Sequence, residues 1–163
     1  MDFDQADAVN QAIRLLSLRH RARIAELLAP HGLHPGQEAL LLELARTGPM
    51  IQAQLSEALG VERPSVTLMA RKLEAAGHIR RSSAPGDQRA TVVELTDGGR
   101  ALTDQVKQLW CVLAQETVAG LSAGTVAELP GLLRTLARNV DTRHPHRRRD
   151  DAAPGPRPED PPA

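Results

Sequence analysis

The stretch Gln52–Gly77, "QAQLSEALGVERPSVTLMARKLEAAG", limits what this chain can fold into more than any other. It holds two short helical patterns with Gly60 between them. Leu55 and Leu59 define the first. Val66, Met69, Ala70 and Leu73 define the second at i, i+3, i+4 and i+7. Pro64 suits a first helical turn and Gly77 a C-terminal cap. Directly after them, "SSAPGDQRATVVELT" over 82–96 reads as two short strands around a Pro-Gly-Asp turn. The arm "TVVEL" is rich in β-branched residues.

The rest of the chain reads as helix. From Ala8 to about Leu28, Val9, Ile13, Leu16, Ile24 and Leu27 recur at helical steps, and Pro30, His31 and Gly32 end the pattern. Pro35 suits the start of a further helix, and Ala39–Ala45 is apolar on nearly every face, which predicts a helix buried on several sides. After residue 96, two more helices are expected. Leu102, Val106, Leu109 and Leu113 form one seam. Val126, Leu129, Leu133, Leu136 and Val140 form another. Both suit helix-on-helix contacts. Pro130 should kink the last helix or shift its start. From His144 the chain turns to proline and opposed charges without apolar periodicity, the composition of a disordered tail.

The protein has 163 residues and a formal net charge of zero, so whole-chain charge does not announce a nucleic-acid partner. The local count does. Between Arg63 and Thr91 there are six basic residues (63, 71, 72, 80, 81, 89) against two acids, Glu74 and Asp87. A solvated charged face would give the same count. The order of helix, Gly turn, helix and basic hairpin is what points to a winged helix-turn-helix. In that motif the second helix enters the DNA major groove with its N-terminal residues at the base edges. The residues so placed are Arg63, Ser65 and Thr67, with Arg71 and Lys72 one turn later and Arg81 and Arg89 in the hairpin.

At this point Gly32–Leu102 resembles the MarR family of winged-helix transcriptional regulators. The carriers are "QLSEALGVERPSVTLMARKLEAAGHIRR", then "DQRA", then "ELTDGGRAL". The resemblance implies a mainly α fold with a small β-hairpin wing, flanked by N- and C-terminal dimerisation helices. It divides the chain into a first dimerisation helix over 1–31, a DNA-binding domain over 32–96, dimerisation helices over 97–143 and the tail over 144–163. It implies a homodimer on a palindromic double-stranded operator, acting as a repressor and released by a small aromatic or anionic effector. Arg89 would be the wing-tip arginine in the minor groove, a contact that reads shape more than sequence. Asp87 would orient the wing by pairing with a nearby basic residue. His20, Arg23 and Trp110 would line the effector pocket, with a buried arginine suiting an anion. The family often has a basic or polar residue where this chain has Leu68. A leucine there loses a phosphate contact or touches a thymine methyl.

Other functions find little support. There is no Gly-rich phosphate loop, nucleophile elbow or HExxH, so no catalytic residue is expected. The six histidines show no metal-ligand spacing, and neither metal nor cofactor is expected. Cys111 is the one cysteine. Beside Val112 and Leu113 it reads as a packed structural thiol, and its solitude suits a reducing cytoplasm. The acidic "MDFDQADAVN" start is not a signal peptide, and no segment is apolar enough to span a membrane. The alternative from another class is a winged-helix protein-interaction module without specific DNA binding. The arginines at 63, 71, 80, 81 and 89 speak against it.

Overall fold

Asp2 starts the first helix, a turn earlier than the apolar pattern alone predicts. Its side chain accepts the backbone N–H of Gln5 at 2.9 Å, capping α1 (Phe3–Leu28). The structure, a computed structural model, describes residues 1–141. The expected tail over 144–163 lies outside the described residues. The chain divides into two compact units, Met1–Ala119 and the segment from Gly120 onward.

In the first unit, α1 runs into a short 3-10 turn over Ala29–His31 and then α2 (Gln37–Thr47). Pro35 does not open α2. It lies with Gly36 in the turn before it, because the side chains of Gln37 and Glu38 fold back to hold that turn. The N–H of His34 donates to Gln37 Oε1 at 2.8 Å and that of Gly36 to Glu38 Oε2 at 2.6 Å. Burial pushes the Glu38 carboxyl above its ordinary range, and the amides it meets pull it back. Leu40, Leu41 and Leu44 of α2 are buried, as its all-round apolar pattern requires. Two-residue strand β1 (Met50–Ile51) follows, too short to leave a periodic signal in the sequence.

Then come α3 (Gln52–Leu59) and α4 (Arg63–Ala75), joined by Gly60 in the left-handed conformation at φ 65°. Ser56 is buried in the turn, where its hydroxyl donates to Val61 O and its carbonyl accepts Val61 N–H. Strands β2 (Ile79–Ala84) and β3 (Asp87–Leu95) form the hairpin, and the sheet order is β1-β3-β2, all antiparallel. Helix α5 (Asp97–Thr117) closes the unit. Its seam is not left over for a partner. Leu102, Val106 and Leu113 are buried in this chain's own core with Ile24 and Leu28 of α1, the leucines of α2, Leu55, Val66, Leu73 and Val93, and Leu109 packs half-buried against them. Burying each such side chain contributes about 1.5–3 kcal/mol.

In the second unit α6 spans Ala123–Asn139, capped by Ser122. It runs unbroken through Pro130, so the proline does not shift its start. The proline leaves the carbonyl of Val126 without its usual donor. Leu132, Leu133, Leu136 and Val140 are exposed. Among the described residues no helix is long and apolar enough to cross a membrane.

Where β3 passes into α5, three elements are tied together. Thr96 caps α5 by accepting Gly99 N–H at 3.0 Å, and its hydroxyl donates to Gly77 O at 2.7 Å, at the end of α4. Its own N–H donates to His78 O at 3.0 Å. Gly99 packs directly on that His78 carbonyl, and a Cβ at 99 would fall inside its van der Waals shell. Gly99→Ala is therefore expected to destabilise the fold by about 1–3 kcal/mol, read as a lower urea midpoint with an unchanged slope. An unshifted midpoint would show that the junction yields without cost.

Candidate nucleic-acid interface

Helix α4 buries Val66, Ala70 and Leu73 on the core. That choice of face leaves Arg63, Pro64, Ser65, Leu68, Arg71 and Lys72 exposed. Thr67 lies between the two faces, half-buried, and its hydroxyl is used inside the fold. It donates to Arg63 O at 2.9 Å and accepts from Gln52 Nε2 of α3. Thr67 thus ties α4 to α3, and its hydroxyl proton is already engaged within the helix.

The hairpin supplies the second part of the interface. Ala84 pairs with Asp87 around Pro85 and Gly86 (φ 80°), the arrangement of a type II turn. The next pair is Ser83 with Thr91, so residues 88–90 have no partner on β2 and bulge from the ladder. Arg89 sits exposed in this bulge. Asp87 does hold the tip, but not by pairing with a basic side chain. Its Oδ1 accepts the backbone N–H of Arg89 at 2.9 Å. A carboxylate two residues before a free N–H closes this local ring more readily than it reaches a distant cation. A groove of about 330 Å³ separates the wing from the start of α4, lined by Gln52, Arg63, Thr67, Asp87, Arg89 and Thr91 among others.

The basic residues divide into two sets. Arg80 pairs with Glu94, its cross-strand neighbour, with Nε to Oε1 at 2.8 Å. Arg81, expected on DNA, is instead turned to Glu74 of α4, with Nε to Oε2 at 2.8 Å and its backbone N–H on Oε1 at 3.2 Å. This pair binds the end of the second helix to the hairpin. Arg63, Arg71, Lys72 and Arg89 form no ion pair with a carboxylate among the described residues. Four cations without a carboxylate partner among the described residues therefore lie on the exposed side of α4 and on the wing. Sequence reasoning missed Gln52 and Glu74. Glu74 stands seven residues from Arg81, across a turn whose direction the sequence does not reveal.

The other expected pocket is assembled only in part. A cavity of about 200 Å³ between α1 and α5 is lined by Leu16, Arg19, His20, Arg23, Leu113, Glu116 and Thr117. Trp110 is not among its walls and is exposed on α5, as are Cys111 and Val112. Cys111 is not a packed thiol, because Leu113 and Val106 turn the opposite face of α5 inward. Arg23 is not buried, and its guanidinium is already held. Nε and Nη2 donate to Glu116 at 2.7 and 2.8 Å, and Nη1 donates to Glu26 at 2.9 Å. These carboxylates raise the arginine's pKa, and the guanidinium holds Glu116 below the usual carboxylate range. Among the described residues no group of three or more His, Cys, Asp or Glu is placed to hold a metal ion.

A helix-turn-helix with an arginine-tipped hairpin defines a winged-helix DNA-binding protein. The MarR family model matches residues 33–91. The repressor NicR of Pseudomonas putida is 28% identical over 134 residues, covering 82% of this chain and 85% of the relative. A mutant MarR of E. coli, solved in complex with operator DNA, is 28% identical with a TM-score of 0.74, over 83% of this chain and 99% of that one. BpsR of Bordetella bronchiseptica, solved to explain regulation of its DNA binding by 6-hydroxynicotinic acid, is 25% identical with a TM-score of 0.74, over 80% of this chain and 98% of that one. This chain belongs to the MarR family of transcriptional regulators.

Arg81 beside Glu74 holds that carboxyl below its ordinary range. A carboxyl lowered by folding stabilises the fold above its unfolded pKa, and this is lost as pH falls toward the folded value. The melting temperature of the wild type should thus fall more steeply than that of Glu74→Gln between about pH 5 and about pH 3. Parallel curves would show that the pair contributes nothing to folding.

Proposed function

We propose that the chain is a cytoplasmic, homodimeric repressor that straddles a palindromic operator and is released by a small aromatic or anionic effector. The observation that carries this reading is the sorting of the arginines. Arg63, Arg71, Lys72 and Arg89 are free and exposed on the helix and the wing, while neighbouring cations are paired. Arg63 and Arg71 reach base edges and phosphates, Lys72 a phosphate, and Ser65 a base or phosphate at the helix start. Arg89 enters the minor groove beside the half-site. Thr67, Asp87 and Arg81 act at one remove, on the tie between α3 and α4, wing tip and wing root. The dimer reading is supported within the first unit by α1, where Val9, Ile13 and Leu16 are about half exposed along one stripe. A lone chain gains nothing from leaving such a stripe in water.

The test is fluorescence anisotropy on a duplex selected from a random pool, at two salt concentrations, with scrambled DNA as control. Arg89→Ala should weaken specific binding by about 1–3 kcal/mol and lower the salt slope by about one. Arg81→Ala should lower stability and leave the slope in place. Equal, weak binding of both duplexes by the wild type would favour a protein-interaction module instead.

Effector release follows population shift: a ligand moves the DNA-competent equilibrium only by its differential affinity for the two states. The cavity lined by Arg19 and Arg23 suits a carboxylate that competes with Glu116 for Arg23. An aromatic carboxylate, 6-hydroxynicotinic acid first, should raise the melting temperature and lower operator affinity. Glu116→Gln, which leaves Glu26 as the guanidinium's one carboxylate partner, should strengthen both effects. A screen of aromatic acids with no stabilisation in either form would remove this site.

A further inference from the structure

One large apolar side chain on the DNA-facing helix is exposed and has no structural reason to be apolar. Leu68 is 57% exposed, while Val66 and Ala70 on either side of it are fully buried. With about 100° between successive residues, the face opposite Val66, Ala70 and Leu73 is centred on Pro64, Leu68, Arg71 and Ala75. Leu68 therefore lies at the crown of α4, one turn in from its start. It belongs to neither the core cluster nor the half-buried residues packed against it. The cations flank it: Arg63 toward the wing, Arg71 and Lys72 one turn on.

We infer that Leu68 is a base-reading residue that selects a thymine in each operator half-site, through the C5-methyl group. The inference rests on the regulator reading above and deepens it. When α4 lies in a major groove with its first turns at the base edges, the crown meets the groove floor. Pro64 and Leu68 bring no hydrogen-bond donor or acceptor to that floor, and Ser65 lies to one side. The edges of guanine, cytosine and adenine offer polar groups there, and the thymine methyl is the apolar patch. A polar edge under Leu68 loses its water without gaining a partner, so the leucine rejects other bases as well as favouring thymine. Arg71, three residues on along the same crown, is placed to take the N7 and O6 of a guanine. The half-site core is then a thymine neighboured by a guanine.

The experiment uses the full chain and a duplex selected from a random pool. Each thymine is replaced in turn by deoxyuridine, which lacks only the methyl group, and affinities are read by anisotropy for wild type and Leu68→Ala. One thymine per half-site should respond. Removing its methyl should weaken wild-type binding about fourfold, the worth of one buried methyl group, and leave Leu68→Ala unaffected. The salt slope should be the same for both proteins, because no phosphate contact changes. Because Leu68 is exposed, its variant should melt with the wild type, which separates reading from folding. Selective binding with no Leu68-dependent thymine overturns this inference alone. Failure to bind any duplex overturns the regulator reading and this one with it.

Discussion

The rest of the structure depends on the hydrogen bonds around Thr96. One residue caps α5 by accepting Gly99 N–H, donates to the carbonyls of Gly77 and His78 just past the end of α4, and terminates β3. The recognition helix, the wing and the helix leading out of the domain therefore share a fixed point. Gly99 lets α5 start against the His78 carbonyl without a side chain between them. A shift of α5 cannot leave α4 and the hairpin where they were. This is the physical route by which a change among the flanking helices would be felt at the DNA-facing surface.

On that frame, charge pairing sorts the basic residues. Every arginine of the winged region would attract a phosphate in isolation. Folding brings Glu94 to Arg80 and Glu74 to Arg81, and these become struts. The arginines that remain free stand on the exposed side of α4 and in the bulge at residues 88–90. The bulge follows from register: a turn of two residues pairs Ala84 with Asp87 too early for the ladder beyond it, and three residues must leave it. A strand in perfect register would have laid Arg89 flat along the sheet.

Much of this was legible in the chain. The two helices around Gly60, the Pro-Gly turn and the β-branched arm gave the winged fold, because each depends on residues a few positions apart. Of the residues proposed to face DNA, Arg63, Arg71, Lys72 and Arg89 were legible as basic residues, and the structure leaves them exposed. Strand β1 was not, since two residues carry no period. Nor was the fate of α5's seam. Leucines at heptad spacing look the same whether they meet a partner chain or, as Leu102, Val106 and Leu113 do, their own core. Trp110 and Cys111 were misread for the same reason: a residue's place on a helix is clear from sequence, but which side faces inward is not.

By itself, then, the sequence determined the order of the helices and the hairpin, the basic character of the region from 63 to 91, and the family. Periodicity, turn chemistry and composition are local properties and survive without a fold. Only the tertiary structure decided which cations are spent and which are free. Arg23 meets Glu116 across 93 positions and Arg81 meets Glu74 across a change of element. Such pairings are set by packing directions that no short stretch of chain contains.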